Sequence, residues 1–220
     1  MPIAKSLPYQ SRPNTVANAL REAIVSSELK PGERLIELQL ASHFRIGQPT
    51  IREALRELEY QGLVRRTPNR GTYVIELNAH DLRKIHEVRI ALEPIAFELA
   101  ANNMSQEAAE ELGEIVDAME ESARKVDRVG FHSQDVEFHR KIWRLSGNEY
   151  IEMALERFVF ALFAFVLSKQ GRADFLESVD QHRKNLAALK TRNPEKARRI
   201  YLETTEGFWQ KHYPIELCSD

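Results

Sequence analysis

The sequence predicts a mainly α-helical protein in two parts. A small unit of three helices and a β-hairpin spans residues 1–76, and an antiparallel all-α bundle spans residues 77–220. Three observations predict this. Apolar residues recur at helical spacing through most of the 220 residues. β-rich runs stand out only around Leu63 to Ile75, flanking a Pro/Asn/Gly turn. The charge also changes sign along the chain: residues 1–76 hold 11 basic and 8 acidic side chains, net +3, and the remainder is net −5. A basic first third on an acidic body points to a unit that faces a polyanion.

Composition removes several function classes. At 43% hydrophobic and 29% charged, the chain buries a core and is not disordered. Its one cysteine, Cys218, allows neither an internal disulfide nor a thiolate zinc cluster. The opening MPIAKSLPYQSRPN lacks the apolar stretch of a secretory signal. The most apolar run, Phe158 to Leu167, is about half of the ~20 residues that span a bilayer. The expectation is a soluble protein of a reducing compartment, the cytoplasm, with no membrane partner.

In the first unit, Thr15 to Ser27 repeats Val16, Leu20, Ile24 and Val25 on one helical side, and Lys30-Pro31-Gly32 stops it. A second helix, Leu35 to Phe44, is predicted to turn Leu38, Leu40 and Ala41 inward. After Arg45-Ile46-Gly47, a third helix starts near Gln48, with Pro49 in a first turn that can spare its N–H. Its apolar stripe is Ile51, Ala54, Leu55 and Leu58. Leu63–Thr67 and Thr72–Ile75 form the hairpin around Pro68-Asn69-Arg70-Gly71.

That order is a winged helix-turn-helix. The DNA major groove is about 12 Å wide and accepts one helix by its amino-terminal turn. Gln48, Thr50 and Arg52 lie at that end, with Arg56 on the same outward side. Arg45 in the turn, Arg65 and Arg66 in the first wing strand and Arg70 at the tip supply cations for phosphates. Gly71 lets the wing backbone come close to the minor groove.

In the second part six helices follow. His80–Ala101 carries Leu82, Ile85, Val88, Leu92, Ile95 and Leu99 on one face and a kink at Pro94. The second, capped by Ser105 and ended by Gly130, carries Leu112, Ile115, Met119 and Val126. Phe131–Leu145 stops at Gly147, and a fourth runs from Asn148 to a break at Gly171, bearing Ile151, Leu155, Phe158, Leu162 and Val166. Phe175–Leu189 is the fifth, and a sixth opens at Asn193-Pro194 and runs to about Tyr213. Phe158, Phe160, Phe163 and Phe165 are expected in core and dimer packing. Asp135 and His139 stand i, i+4 on one face of the third bundle helix and His182 on the fifth, a set suited to a divalent transition metal such as zinc, nickel or manganese. A D-x3-H pair also occurs as an ordinary surface or capping pair.

Two stretches carry a family resemblance. LREAIVSSELKPGERLIELQLASHFRIGQPTIREALRELEYQGLVRRTPNRGTYV resembles the amino-terminal domain of the GntR family of bacterial transcriptional regulators, through Pro31-Gly32, Leu40-Ala41, the Ile51–Leu55 segment, Gly62-Leu63 and Arg70-Gly71. Where the family commonly reads Ser-Arg-Thr-Pro, this chain has Gly47-Gln48-Pro49-Thr50. Glutamine suits an adenine edge and arginine a guanine edge, so the operator is expected to differ there. EVRIALEPIAFELAA and DVEFHRKIWRLSGN resemble the FCD ligand-binding domain of the FadR subfamily.

The resemblance implies a homodimeric, ligand-responsive regulator, most often a repressor, reading a near-palindromic operator in double-stranded DNA and binding a small organic acid. It implies that Arg89 and Asn148 bind the effector and that Asp135, His139 and His182 hold the metal. The family's fourth ligand position falls on Thr204. Either water or effector completes a three-ligand shell, or the pocket binds effector without metal; Arg89 can equally pair with Glu93. The rival readings are a metal-dependent enzyme built on Asp135, His139 and His182, and an architectural DNA-binding protein with no effector.

Overall fold

The computed structural model describes residues 12–169 and 172–212. They divide into two compact units, residues 1–76 and 77–220. The expected break at Gly171, helix end at Tyr213 and Cys218, and the side chains of Phe160 and Val166, lie outside what is described.

The first unit comprises α1 (Arg12–Val25), β1 (Arg34–Leu35), α2 (Glu37–Phe44), α3 (Gln48–Tyr60), β2 (Val64–Thr67) and β3 (Gly71–Val74). The strand order is β1-β3-β2, antiparallel throughout. Leu35 therefore belongs to a strand: Arg34 pairs with Tyr73 and Leu35 with Thr72, which delays the second helix to Glu37. That delay changes the buried face. Ala41 is buried, Leu40 half-buried, and Leu38 is 66% exposed, against the expected inward set. On α3 the stripe Ile51, Ala54, Leu55 and Leu58 is buried, and α3 packs on α1. Buried Gln61 ties the two, accepting from Arg21 Nε at 3.1 Å.

The second unit is six helices: α4 (Ala79–Asn102), α5 (Gln106–Lys125), α6 (Arg128–Leu145), α7 (Glu149–Lys169), α8 (Arg172–Lys190) and α9 (Pro194–His212). Their starts are written in side chains. Asn78 and Asp81 form a reciprocal capping box, and Ser105 Oγ accepts from Ala108 N at 3.0 Å. Asn193 Oδ1 accepts from Lys196 N at 2.9 Å ahead of Pro194. Gly130 does not end α5. The helix closes at Val126, in the left-handed region at φ 57° and 43% exposed rather than on the apolar face, and Asp127 caps α6 through Gly130 N at 3.0 Å. A Cβ on Gly130 would stand 2.3 Å from Asp127 Oδ2, so the cap needs glycine there.

Pro94 sits inside α4 without ending it. The buried side of α4 is Leu82, Glu93, Pro94, Ala96, Phe97, Ala100 and Ala101, whereas Val88 and Ile95 are exposed. One core joins Phe97, Leu112, Met119, Phe131, Phe138, Phe175 and Tyr201 across α4, α5, α6, α8 and α9. A second joins Ala96, Trp143, Leu155, Val159 and Phe163 across α4, α6 and α7. Among the described residues no helix is long and apolar enough to cross a membrane.

Candidate functional site

Two places carry the predicted chemistry. At the outward end of α3, Gln48 and Thr50 are half-buried and Arg52 and Arg56 exposed. Arg52 Nε donates to Glu37 Oε2 at 2.7 Å, and its terminal nitrogen donates to Gln48 Oε1 at 3.2 Å. Arg45 is exposed in the left-handed conformation that closes α2. Arg65 and Arg66 are exposed on edge strand β2 and Arg70 at the wing tip. Gly71 has φ +111°, and a Cβ there would stand 3.2 Å from Arg34 Nε. Arg34, which the sequence reading passed over, is thus a further cation beside the wing; its place three residues after Pro31 and in register with Tyr73 is the signal that marks it.

The second place lies inside the helical unit. Asp135 and His139 from α6 and His182 from α8 are all buried, and one ligand atom from each falls within 4.8 Å of the others. His182 Nε2 is 2.9 Å and His139 Nε2 4.0 Å from Asp135 Oδ1. His139 Nδ1 is 2.8 Å from Glu93 Oε1. His139 Nδ1 and His182 Nε2 meet their carboxylates off the hydrogen-bonding direction and stay buried without a hydrogen-bond partner. On the far side of its ring, His182 Nδ1 lies 2.7 Å from the Ser178 carbonyl, which can only accept. With Nδ1 committed to that carbonyl, Nε2 is the nitrogen left to face Asp135 Oδ1, where it can donate a proton to the carboxylate or share a cation with it. The donor set of one carboxylate and two imidazoles fits zinc, nickel or manganese.

Glu93, which sequence reasoning offered only as a partner for Arg89, is the hub of this site. It is 0% exposed. It accepts from Arg89 Nε, from the Tyr201 hydroxyl, and from Trp143 Nε1 at 3.1 Å. Burial opposes its ionisation, but Arg89 and His139 outweigh that and hold its carboxyl well below the usual range. Burial likewise opposes charge on Asp135, and the neighbouring His182 prevails and lowers it. Burial pushes His139 down, toward the neutral form a metal ligand needs.

Arg89, with its guanidinium 4.8 Å over the Phe163 ring, lines a cavity of about 60 Å³ together with Asp135, His139, His182, Thr205 and Trp209. The other two family-implied positions are elsewhere. Thr204 is one residue, hence about 100°, off the inward face of α9. Its hydroxyl, with one proton to give, lies within hydrogen-bonding reach of the Ile200 and Tyr201 carbonyls and of Asn185 Oδ1 at 3.1 Å. Thr205 lines the cavity instead. Asn148 caps α7, its Oδ1 accepting from Tyr150 N at 3.1 Å and Ile151 N at 3.3 Å, and does not line the cavity.

Behind Trp209, His86 stacks at 3.9 Å and 4°. Burial first, and Arg89 second, lower its pKa to about 4. Unfolded, the same ring takes up its proton near pH ~6.5. Between those values the unfolded chain binds the extra proton, so stability falls as pH drops through this window and returns as it rises. Thermal melts across the window should show that slope, and His86→Phe, which keeps the stack, should flatten it. An unchanged slope would assign the effect to other groups.

Comparison with known proteins gives the same division. Residues 13–74 match the bacterial regulatory proteins of the gntR family, and residues 84–206 match the FCD domain. The chain is 30% identical over 196 residues to the gluconate operon transcriptional repressor of Bacillus subtilis (strain 168), covering 86% of this chain and 80% of that one. It is also 30% identical over 184 residues to the gluconate operon transcriptional repressor of Bacillus licheniformis, covering 81% and 75%. The fold matches that of E. coli McbR/YncC with a TM-score of 0.76 at 24% identity, over 91% of this chain and 98% of that one. These relatives are regulators, not enzymes, which sets the metalloenzyme reading aside. The chain belongs to the gntR family of bacterial regulatory proteins, as a DNA-binding transcriptional regulator whose winged helix-turn-helix is followed by an FCD domain.

Proposed function

We propose that this regulator is a homodimeric repressor that binds a near-palindromic operator and responds to a small organic acid held in the helical unit beside a divalent metal. One observation carries the reading: Arg89 lines the same cavity as Asp135, His139 and His182. A guanidinium recognises a carboxylate through a planar fork. A bound divalent ion would supply the positive charge that offsets Asp135 and Glu93 and draws an anion in. At about 60 Å³ the cavity has room for an ion and a few waters. A larger acid enters only when the helices around it move, and that differential fit is what lets a ligand change operator affinity.

On the DNA side, Gln48, Thr50 and Arg52 are proposed to reach base edges and Arg45, Arg56, Arg65, Arg66 and Arg70 the phosphates, with Gly71 at the wing. A single winged helix reads one half-site, so two copies are needed. The neighbouring helices α4 and α7 leave Val88, Ile95, Met153 and Phe158 exposed, apolar area suited to a second copy. Thermal denaturation with a panel of organic acids, with and without zinc, nickel or manganese, tests the reading. The expected result is stabilisation by an acid that grows when metal is present, about 2.7 kcal/mol at a hundredfold excess over Kd. Indifference to every acid and metal would leave an architectural DNA-binding protein.

A further inference from the structure

We propose that Glu93 is the positioning residue of the metal site: its carboxylate holds the His139 proton on Nδ1 and so presents the Nε2 lone pair to the ion, while the same carboxylate anchors Arg89. The inference rests on the metal reading above. Its first leg is the asymmetry around the His139 ring. A carboxylate oxygen stands 2.8 Å from Nδ1, whereas the carboxylate oxygen nearest Nε2 is 4.0 Å away. A neutral imidazole carries one proton, and the nearer anion draws it to its own side.

The second leg is His182. Its Nδ1 faces the Ser178 carbonyl, so Nε2, 2.9 Å from Asp135 Oδ1, is the nitrogen available to an ion. Both histidines then turn Nε2 toward one carboxylate oxygen, from α6 and from α8, with the Ser178 carbonyl bonded behind the His182 ring and a Glu93 oxygen 2.8 Å behind the His139 ring. Outer acceptors of this kind orient metal-bound imidazoles and raise their basicity.

The third leg is the range of Glu93 contacts. It is fully buried, and its remaining capacity goes to Trp143 Nε1, the Tyr201 hydroxyl and Arg89 Nε. Four groups on α4, α6 and α9 therefore fix where the carboxylate stands. Arg89 gives only its Nε to this bond among the described contacts, and its side chain is 14% exposed, at the cavity wall. A shift of Glu93 on metal binding therefore moves the guanidinium as well.

Two measurements on the full chain test this. Long-range 15N NMR of the histidine rings in metal-free protein is expected to show His139 protonated at Nδ1; a proton on Nε2 overturns the proposal with no variant needed. Cobalt(II) titration, followed by the visible spectrum of the bound ion, is expected to show Glu93→Gln binding roughly 10- to 100-fold more weakly, with a changed spectrum. Lys125→Ala, which breaks only an exposed pair with Glu121 on α5, is expected to leave cobalt affinity and spectrum unaltered. Equal affinity and spectra for the parent chain and Glu93→Gln overturn the role of Glu93 alone. A parent chain that takes up no cobalt overturns the metal reading itself.

Discussion

Glu93→Ala is expected to lower the stability of the helical unit by about 3–5 kcal/mol, the cost of leaving a buried charge without its counterpart. Arg89 would then lose the carboxylate its Nε donates to, and the Trp143 N–H and Tyr201 hydroxyl would lose their acceptor. For a chain of this size, the loss corresponds to a fall in Tm of roughly 6–20 °C. Trp143 and Trp209, the protein's two tryptophans, both lie in this unit, so their fluorescence follows its unfolding alone. The double replacement Arg89→Met with Glu93→Leu is expected to recover part of the loss, because no unpaired charge remains. If Glu93→Ala melts at the parent temperature, water must replace the carboxylate at all its partners and the hub carries no structural weight.

Leu58→Ala should strike the other unit. Leu58 is 0% exposed on the buried stripe of α3, and truncating such a leucine costs about 2–5 kcal/mol. A unit of 76 residues has little stability to lose. The expected result is an early far-ultraviolet transition with no change in tryptophan fluorescence, followed by the parent transition of the bundle. Operator binding should vanish over the same early transition, although Leu58 reaches no DNA-facing surface. A single transition seen equally by both probes would show that the two units unfold together.

Much of this architecture could be read directly from the chain because its determinants are local. Stripes at helical spacing, the Ser105 and Asn193 caps, the Pro49 start and the Pro/Asn/Gly wing turn all act within a few residues. The errors came where a distant partner decides. Leu35 is a strand residue only because β3 runs beside it, and that pairing turned Leu38 outward. Val88 and Ile95 keep helical spacing with Leu92, yet the side of α4 that is covered centres on Glu93, Ala96 and Phe97.

The cluster divides in the same way. Asp135 and His139 share a face by helix geometry, whereas the approach of His182 depends on how α8 packs. The role of Glu93 was hidden because its partners Trp143 and Tyr201 are 50 and 108 residues away. Asn148 is the opposite case: a local capping duty in the turn it occupies engages its side chain, and it does not line the cavity.

The bond from Arg52 to Glu37 bears on how the operator is chosen. In the proposed role of Arg52 at a base edge, its guanidinium would approach a duplex with an acid and an amide already on its donors. Such an exposed pair is worth about 0–1 kcal/mol, so a cognate base that offers two acceptors outbids it easily. A wrong base offers too little to break it, and the carboxylate left in place pushes against the phosphates. On that reading, discrimination among DNA sequences would be partly a matter of refusal, built into the neighbour that holds the arginine back until something better is presented.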